Sequence, residues 1–213
     1  LDIGMARGEV LVGGPAVAYG YLVDEANPDP EVASKNETDY VAIDGVRFFR
    51  TGDIGQVTAS GTLQIIDRKK DLWKGPQGEY VALSKVEAAL KLSPFVELSM
   101  VYGKTGGSYV IALICPNEAK LRSLAEELGI GSDAPMALCK NPRILSVIES
   151  KLAEVCKQAK LVEFEVPKKI ALLPGAEDQP AWTPENDMLT AAMKLKRPII
   201  ARAFADEIDA LYS

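Results

Sequence analysis

The stretch from Phe48 to Glu87, FFRTGDIGQVTASGTLQIIDRKKDLWKGPQGEYVALSKVE, changes its grammar part-way. Before Asp67 it alternates apolar and polar residues in short β-like segments: Val46 to Phe49, Gln56 to Thr58 and Thr62 to Ile66. After Lys70 come a Gly-containing loop, Lys74 to Glu79, and then Ser84-Lys85-Val86-Glu87. That last tetrad has the pattern of a capping box, in which the Ser hydroxyl and Glu carboxylate would satisfy orphan N–H groups of the helix they open. A switch from a period of two to a helical period excludes a single uniform layer and puts a seam at the polar run Asp67-Arg68-Lys69-Lys70-Asp71. Charge changes at the same place. Residues 1–67 carry eleven acids against four bases, whereas residues 68–213 carry nineteen acids against twenty bases. The charge break gives a boundary, with domains over 1–67 and 68–213.

Upstream of the seam the pattern is β. Glu9 to Val12 runs into Gly13-Gly14-Pro15, and Gly20 breaks the next apolar stretch. Residues 24–39, rich in Asp, Glu, Asn and Pro, read as a solvated loop. The expectation is a small barrel or sheet, not a doubly wound unit. Downstream the pattern is α+β. Val96 to Tyr102 and Tyr109 to Cys115 form a hairpin around Lys104–Ser108. Asn117 caps a helix with Leu121, Leu124, Ala125 and Leu128 on one face and Gly129 at its end. Asn141-Pro142 opens a helix striped by Ile144, Leu145, Ile148, Leu152, Val155 and Cys156. Phe164 to Leu173 reads as extended, Gly175 to Asp187 as a polar loop, and a last helix follows Pro198.

Composition narrows the function. A net charge of −6 argues against a general nucleic-acid role, because phosphate binding needs clustered Lys and Arg. Three cysteines without CxxC spacing, and no histidine, argue against a zinc site. Cys115, Cys139 and Cys156 read as buried reduced thiols. The longest apolar run, Val110 to Cys115, is far short of the roughly 18 residues of a membrane span.

The candidate chemistry lies in four places. Asp53, in what reads as a Gly turn (Thr51-Gly52-Asp53), could accept hydrogen bonds from vicinal hydroxyls such as a ribose offers; a plain turn is the competing reading. The Arg68 guanidinium can clamp a phosphate or ribose oxygen bidentately, or belong to a solvated charge run. Gly75 and Gly78 allow close backbone approach around Lys74 and Glu79, although two glycines and a proline alone signal only a turn. Residues 103–108 lack the spacing of a phosphate-binding loop and read as a hairpin tip. The tail, Trp182 to Pro198, ends in Lys194, Lys196 and Arg197.

Taken together, TGD, DRKKD, KGPQGEYV and the KxxR tail closely resemble the adenylate-forming enzymes. The QGEYV wording and the tail resemble the long-chain acyl-CoA synthetases among them. The resemblance implies the C-terminal portion of a long-chain fatty acid–CoA ligase: the end of a large N-terminal adenylation domain (1–67), then a mobile α+β lid domain (68–213). It implies ATP and Mg2+, with CoA as a substrate, and a missing N-terminal adenylation domain as the main partner. It assigns ribose binding to Asp53, nucleotide contact to Arg68, the hinge to Lys70, and a thioester-stage loop to Lys74, Gly75, Gly78 and Glu79. Lys194 becomes the catalytic cation, placed against the charge that builds on the α-phosphate, with Lys74 a second catalytic candidate and Lys196 the fallback. Met193 stands where small-subunit members have Gly, as a bulky residue does in long-chain members, and Asp187-Met188 and Ala191-Ala192 depart from the usual pattern. A cytoplasmic site, or the cytosolic face of an internal membrane such as the endoplasmic reticulum, is implied. The chain opens on Leu1-Asp2 without Met, as part of a longer or processed chain would. The alternative from another class is a non-catalytic module that binds nucleotide or a partner.

Overall fold

In the first unit, alternating side chains and backbone pairing build one small sheet. The computed structural model describes residues 7–131, 134–175 and 181–213. Strand β1 (Arg7–Gly13) is followed by helix α1 (Pro30–Thr38), strand β2 (Tyr40–Ile43), the long strand β3 (Val46–Val57) and strand β4 (Leu63–Arg68). β3 is the spine. β1 pairs along one side of it, and β2 and β4 share the other, each antiparallel to it.

Two expectations are corrected here, and of the expected barrel or sheet the sheet is found. Val46–Phe49 and Gln56–Val57 are not separate strands: β3 runs through both, and through Thr51-Gly52-Asp53 between them. The sheet is open and, among the described residues, does not close into a barrel, since its pairings run only through β3. Residues 30–38 are helical because Asp29 caps the Glu31 N–H and Pro30 supplies a pre-set φ in the first turn. Among its described residues, Gly55 alone is buried in this unit, while Tyr19 (96%) and Leu22 (95%) stand almost fully exposed.

The chain divides into two compact units between Leu72 and Trp73. A single turn of 3-10 helix, Lys69–Asp71, leads to a small hairpin of β5 (Leu72–Lys74) and β6 (Tyr80–Ala82). Then come α2 (Leu83–Leu90), β7 (Val96–Gly103), β8 (Val110–Pro116), α3 (Glu118–Glu127), α4 (Pro135–Lys140), α5 (Pro142–Gln158), β9 (Ile170–Leu172), α6 (Arg197–Ala203) and α7 (Ala205–Tyr212). The sheet order is β7-β8-β9, with β8 antiparallel to β7 and parallel to β9.

β8 explains the layering. Its residues are apolar at every position from Val110 to Cys115, so both faces need cover. Val110, Ala112 and Ile114 face a core completed by Val86 and Leu90 of α2, Leu121 and Leu124 of α3, and Ile144, Ile148 and Leu152 of α5. Ile111, Leu113 and Cys115 face a second core with Trp182, Leu189, Ile200 and Ile208. The C-terminal tail is therefore a layer of the domain and not an appendage. Asn141 accepts from the Arg143 and Ile144 N–H groups to start α5, and Gly129 (φ +67°) ends α3, as the sequence reading expected. Phe164–Leu173 is less extended than expected: a 3-10 turn (Glu163–Glu165) precedes the short β9. Of the expected polar loop, residues 176–180 lie outside the described residues.

Candidate functional site

Thr51-Gly52-Asp53 forms a bulge within a strand instead of a turn between two. Glu9 of β1 faces Ile54 and Leu11 faces Arg50, so extra β3 residues crowd opposite Val10. Gly52 takes φ +70°, a conformation that disfavours a Cβ. The Thr51 hydroxyl donates to the Val10 carbonyl (2.9 Å) and accepts from the Asp53 N–H (3.0 Å). Asp53 is thus held by its backbone and presents its carboxylate outward, 30% exposed. Directly across the ladder sits Arg68, the last residue of β4, whose Nε lies 2.9 Å from Asp53 Oδ1. Two residues singled out from sequence are one cross-strand pair. Arg68, though not Asp53, borders an open pocket of about 450 Å3 lined in part by Glu9, Asp39, Arg50, Thr51, Gly52 and Lys69. Glu9 pairs with both Arg50 (3.3 Å) and Lys69 (3.2 Å), which no local sequence pattern foretold.

Lys70 lies exposed in the Lys69–Asp71 turn, between the residue that ends β4 and the one that opens β5. Downstream, Trp73 is fixed. Its indole N–H donates to the Lys104 carbonyl (3.0 Å), and its ring covers Gly103 so closely that no Cβ would fit there. Next comes the predicted loop, the tip of the β5–β6 hairpin. The Gly75 N–H donates to the Glu79 carbonyl (2.9 Å) and the Gly78 N–H to the Gly75 carbonyl (3.1 Å), with Gly78 at φ +87°. The Glu79 side chain folds over Gly75, leaving one buried carboxylate oxygen with no hydrogen-bond partner. Lys74 is exposed, its ammonium 5.7 Å from the Tyr80 ring centroid.

The tail is a second hairpin. The Thr183 N–H donates to Asn186 Oδ1 and the Asn186 N–H to Thr183 Oγ1, which closes the turn before it. Leu189 then pairs with Leu195, and the Lys196 N–H donates to the Met188 carbonyl (2.9 Å). At the tip, the Thr190 N–H donates to the Lys194 carbonyl (2.8 Å) and the Thr190 hydroxyl accepts from the Lys194 N–H (3.1 Å). Met193 takes φ +59°, a backbone conformation that favours glycine. Lys196 is ion-paired with Asp187, whereas Lys194 stands exposed at the tip with no side-chain partner among the described residues.

Glu87 was read as half of a capping box, and the structure corrects that. α2 begins at Leu83 with Ala82 as its N-cap and no side-chain cap. The Glu87 carboxylate instead accepts from the Val101 N–H (2.7 Å) and from Arg197 Nη2 (2.6 Å). Its partner lies 110 residues away, so no local signal could have revealed it.

No protein-family model matches the chain. Curated proteins do. Long chain acyl-CoA synthetase 8 of Arabidopsis thaliana is 42% identical over 212 residues, covering 100% of this chain and 28% of that protein. Fatty acyl-CoA synthetase B of Dictyostelium discoideum is 37% identical over 206 residues, again covering 28% of the relative. The chain is homologous to the C-terminal part of the long-chain acyl-CoA synthetases. The chain spans about 28% of the length of the relatives it matches. Its fold is that of the adenylate-forming enzymes. The adenylation domain of a carboxylate reductase from Mycobacterium chelonae superposes with a TM-score of 0.74 at 30% identity, over 99% of this chain and 28% of that one. A didomain of the carboxylic acid reductase from Segniliparus rugosus, solved in complex with AMP, gives 0.71 at 28% identity, over 100% of this chain and 26% of that one. Among the described residues the chain has no group of three His, Cys, Asp or Glu side chains able to hold a metal, and no helix long and apolar enough to cross a membrane.

Proposed function

We propose that this chain is the closing portion of an ATP-dependent long-chain fatty acid–CoA ligase. In the first half-reaction the fatty carboxylate attacks the α-phosphorus of ATP, the bond to the β-phosphate breaks, and pyrophosphate leaves. In the second, the CoA thiolate attacks the acyl carbon and AMP departs. The observation that carries the reading is the tail hairpin. Of its two lysines, Lys196 is neutralised by Asp187, and Lys194 is a cation presented at a tip with no partner of its own among the described residues. Such a group, brought to a developing charge, stabilises it without first breaking an ion pair.

The other roles follow from the same relationship. The Asp53 carboxylate holds the ribose hydroxyls, and Arg68 across the ladder orients it and reaches the nucleotide. Mg2+ would enter with the ATP phosphates and neutralise part of their charge. Lys70 carries the hinge torsion between the two half-reactions: it lies in the short turn between the Arg68–Asp53 pair and the anchored Trp73. Gly75 and Gly78 admit the pantetheine arm, and Lys74 and Glu79 line its approach. The scarcity of burial in the first unit supports a larger N-terminal domain as its cover, since exposed Tyr19, Leu22, Val12 and Leu63 call for one.

Acyl-CoA formation from palmitate, ATP and CoA tests the reading, with the complete gene product beside the 213-residue chain alone. Turnover by the complete protein and none by the segment is the expected result. A complete protein that adenylates no carboxylate would replace the ligase with a non-catalytic binding module.

A further inference from the structure

The Glu87–Arg197 pair sits at an unusual place in the sheet. Among the described residues β7 is an edge strand, with β8 on one side only. On its other side Val101 would leave both backbone groups unpaired. Glu87 Oε1 accepts from the Val101 N–H at 2.7 Å, and Arg197 Nη1 donates to the Val101 carbonyl at 3.1 Å. Glu87 Oε2 and Arg197 Nη2, 2.6 Å apart, close the ring. The pair thus occupies the place of a neighbouring strand, with side chains only 14% and 22% exposed.

Arg197 is also the root of the tail hairpin. It opens α6 and lies three residues beyond Lys194. Apolar packing at Leu189 and Leu195 and the Arg197 ring hold the legs, while Ala191 to Lys194 are exposed and have no packing of their own. The place of the Lys194 ammonium is therefore set from below. We infer that Glu87 is a positioning residue for adenylation: through Arg197 it fixes the height and direction at which the hairpin presents Lys194. This rests on the reading of Lys194 given above.

The test uses the complete synthetase. Adenylation is followed as fatty-acid-dependent ATP–pyrophosphate exchange, and thioester formation separately, from supplied acyl-adenylate and CoA. Glu87→Gln keeps the shape and removes the charge. It lowers the exchange kcat about ten- to a hundredfold, the order expected of a misplaced catalytic group. KM for ATP and the thioester half-reaction stay within about twofold, as fits loss of a transition-state interaction alone. Arg197→Lys gives a smaller loss, because an ammonium reaches Glu87 without also bonding the Val101 carbonyl in a planar fork. Neither change lowers exchange further in a Lys194→Ala background. Unchanged exchange in both variants overturns the inference. So does an equal fall of both half-reactions in both variants, which marks a purely structural pair. If Lys194→Ala itself leaves exchange intact, the reading of Lys194 fails first, and that result is distinct from the other two.

Discussion

Replacing Asp53 by Asn separates a structural role from a nucleotide-binding one, because the two predict effects of different size. The Asp53–Arg68 pair is short (2.9 Å), but its side chains are 30% and 59% exposed. Pairs that wet contribute about 0–1 kcal/mol to stability. Asn also keeps the backbone N–H that donates to Thr51, so the bulge survives. Its loss should lower Tm by no more than about 4 °C. Binding is another matter. A hydrogen bond to a charged acceptor is worth about 1.5–3 kcal/mol. Asn turns one of the two acceptors into a donor and removes the charge, so one ribose hydroxyl loses its charged acceptor. At about 1.4 kcal/mol per factor of ten, kcat/KM for ATP should fall roughly ten- to a hundredfold. The assay is ATP–pyrophosphate exchange by the complete enzyme across ATP concentrations, beside a thermal melt. A change below about threefold in kcat/KM would refute ribose binding. A Tm loss beyond about 8 °C would show that the pair holds the sheet together.

Ile148→Ala empties a fully buried position on α5 and should cost about 2–5 kcal/mol, read as a lower urea midpoint at unchanged slope. A loss under about 1 kcal/mol would mean the helix does not pack on β8 as described. Gly103→Ala drives a methyl into the Trp73 ring, and overpacking of that kind costs about 1–3 kcal/mol; a shifted tryptophan emission should accompany it, and unchanged emission would contradict the anchor. Burial pushes the Cys115 and Cys139 thiols up from 9.0 to about 12. Both groups hold their protons longer folded than unfolded, so their stabilisation is complete below pH 9 and disappears as pH rises through about 12. Neither should react with a thiol reagent at neutral pH until denaturant is added; rapid native labelling would contradict their burial.

Much of the second unit was legible because its signals are local. Asn141-Pro142 carries its own cap and first turn, Gly129 its own stop, and the β7–β8 hairpin its apolar runs on either side of a Gly-rich tip. Two of the misreadings come from competition with distant residues, and one from a weak local signal. Thr51-Gly52-Asp53 has turn chemistry, yet pairing with β1 and β4 carries the strand through it as a bulge. Residues 30–38 have the composition of a loop, and only the Asp29-Pro30 cap betrays the helix. Glu87 satisfies a local capping pattern but is taken by Arg197 from the far end of the chain. For the site, the spacing of the KxxR tail put Lys194 ahead of Lys196 but gave no physical reason for the ranking. Their difference is an ion pair with Asp187, which depends on how the hairpin folds back.

That difference is the most direct test of the account. ATP–pyrophosphate exchange should be measured on the complete synthetase with Lys194→Ala and Lys196→Ala side by side. Lys194→Ala should lower kcat about a hundred- to a thousandfold, the loss typical of a removed electrostatic stabiliser. Lys196→Ala, which frees only Asp187, should stay within about tenfold of the unaltered enzyme. Exchange that survives Lys194→Ala, or falls more steeply in Lys196→Ala, would contradict the assignment of the adenylation chemistry to the hairpin tip.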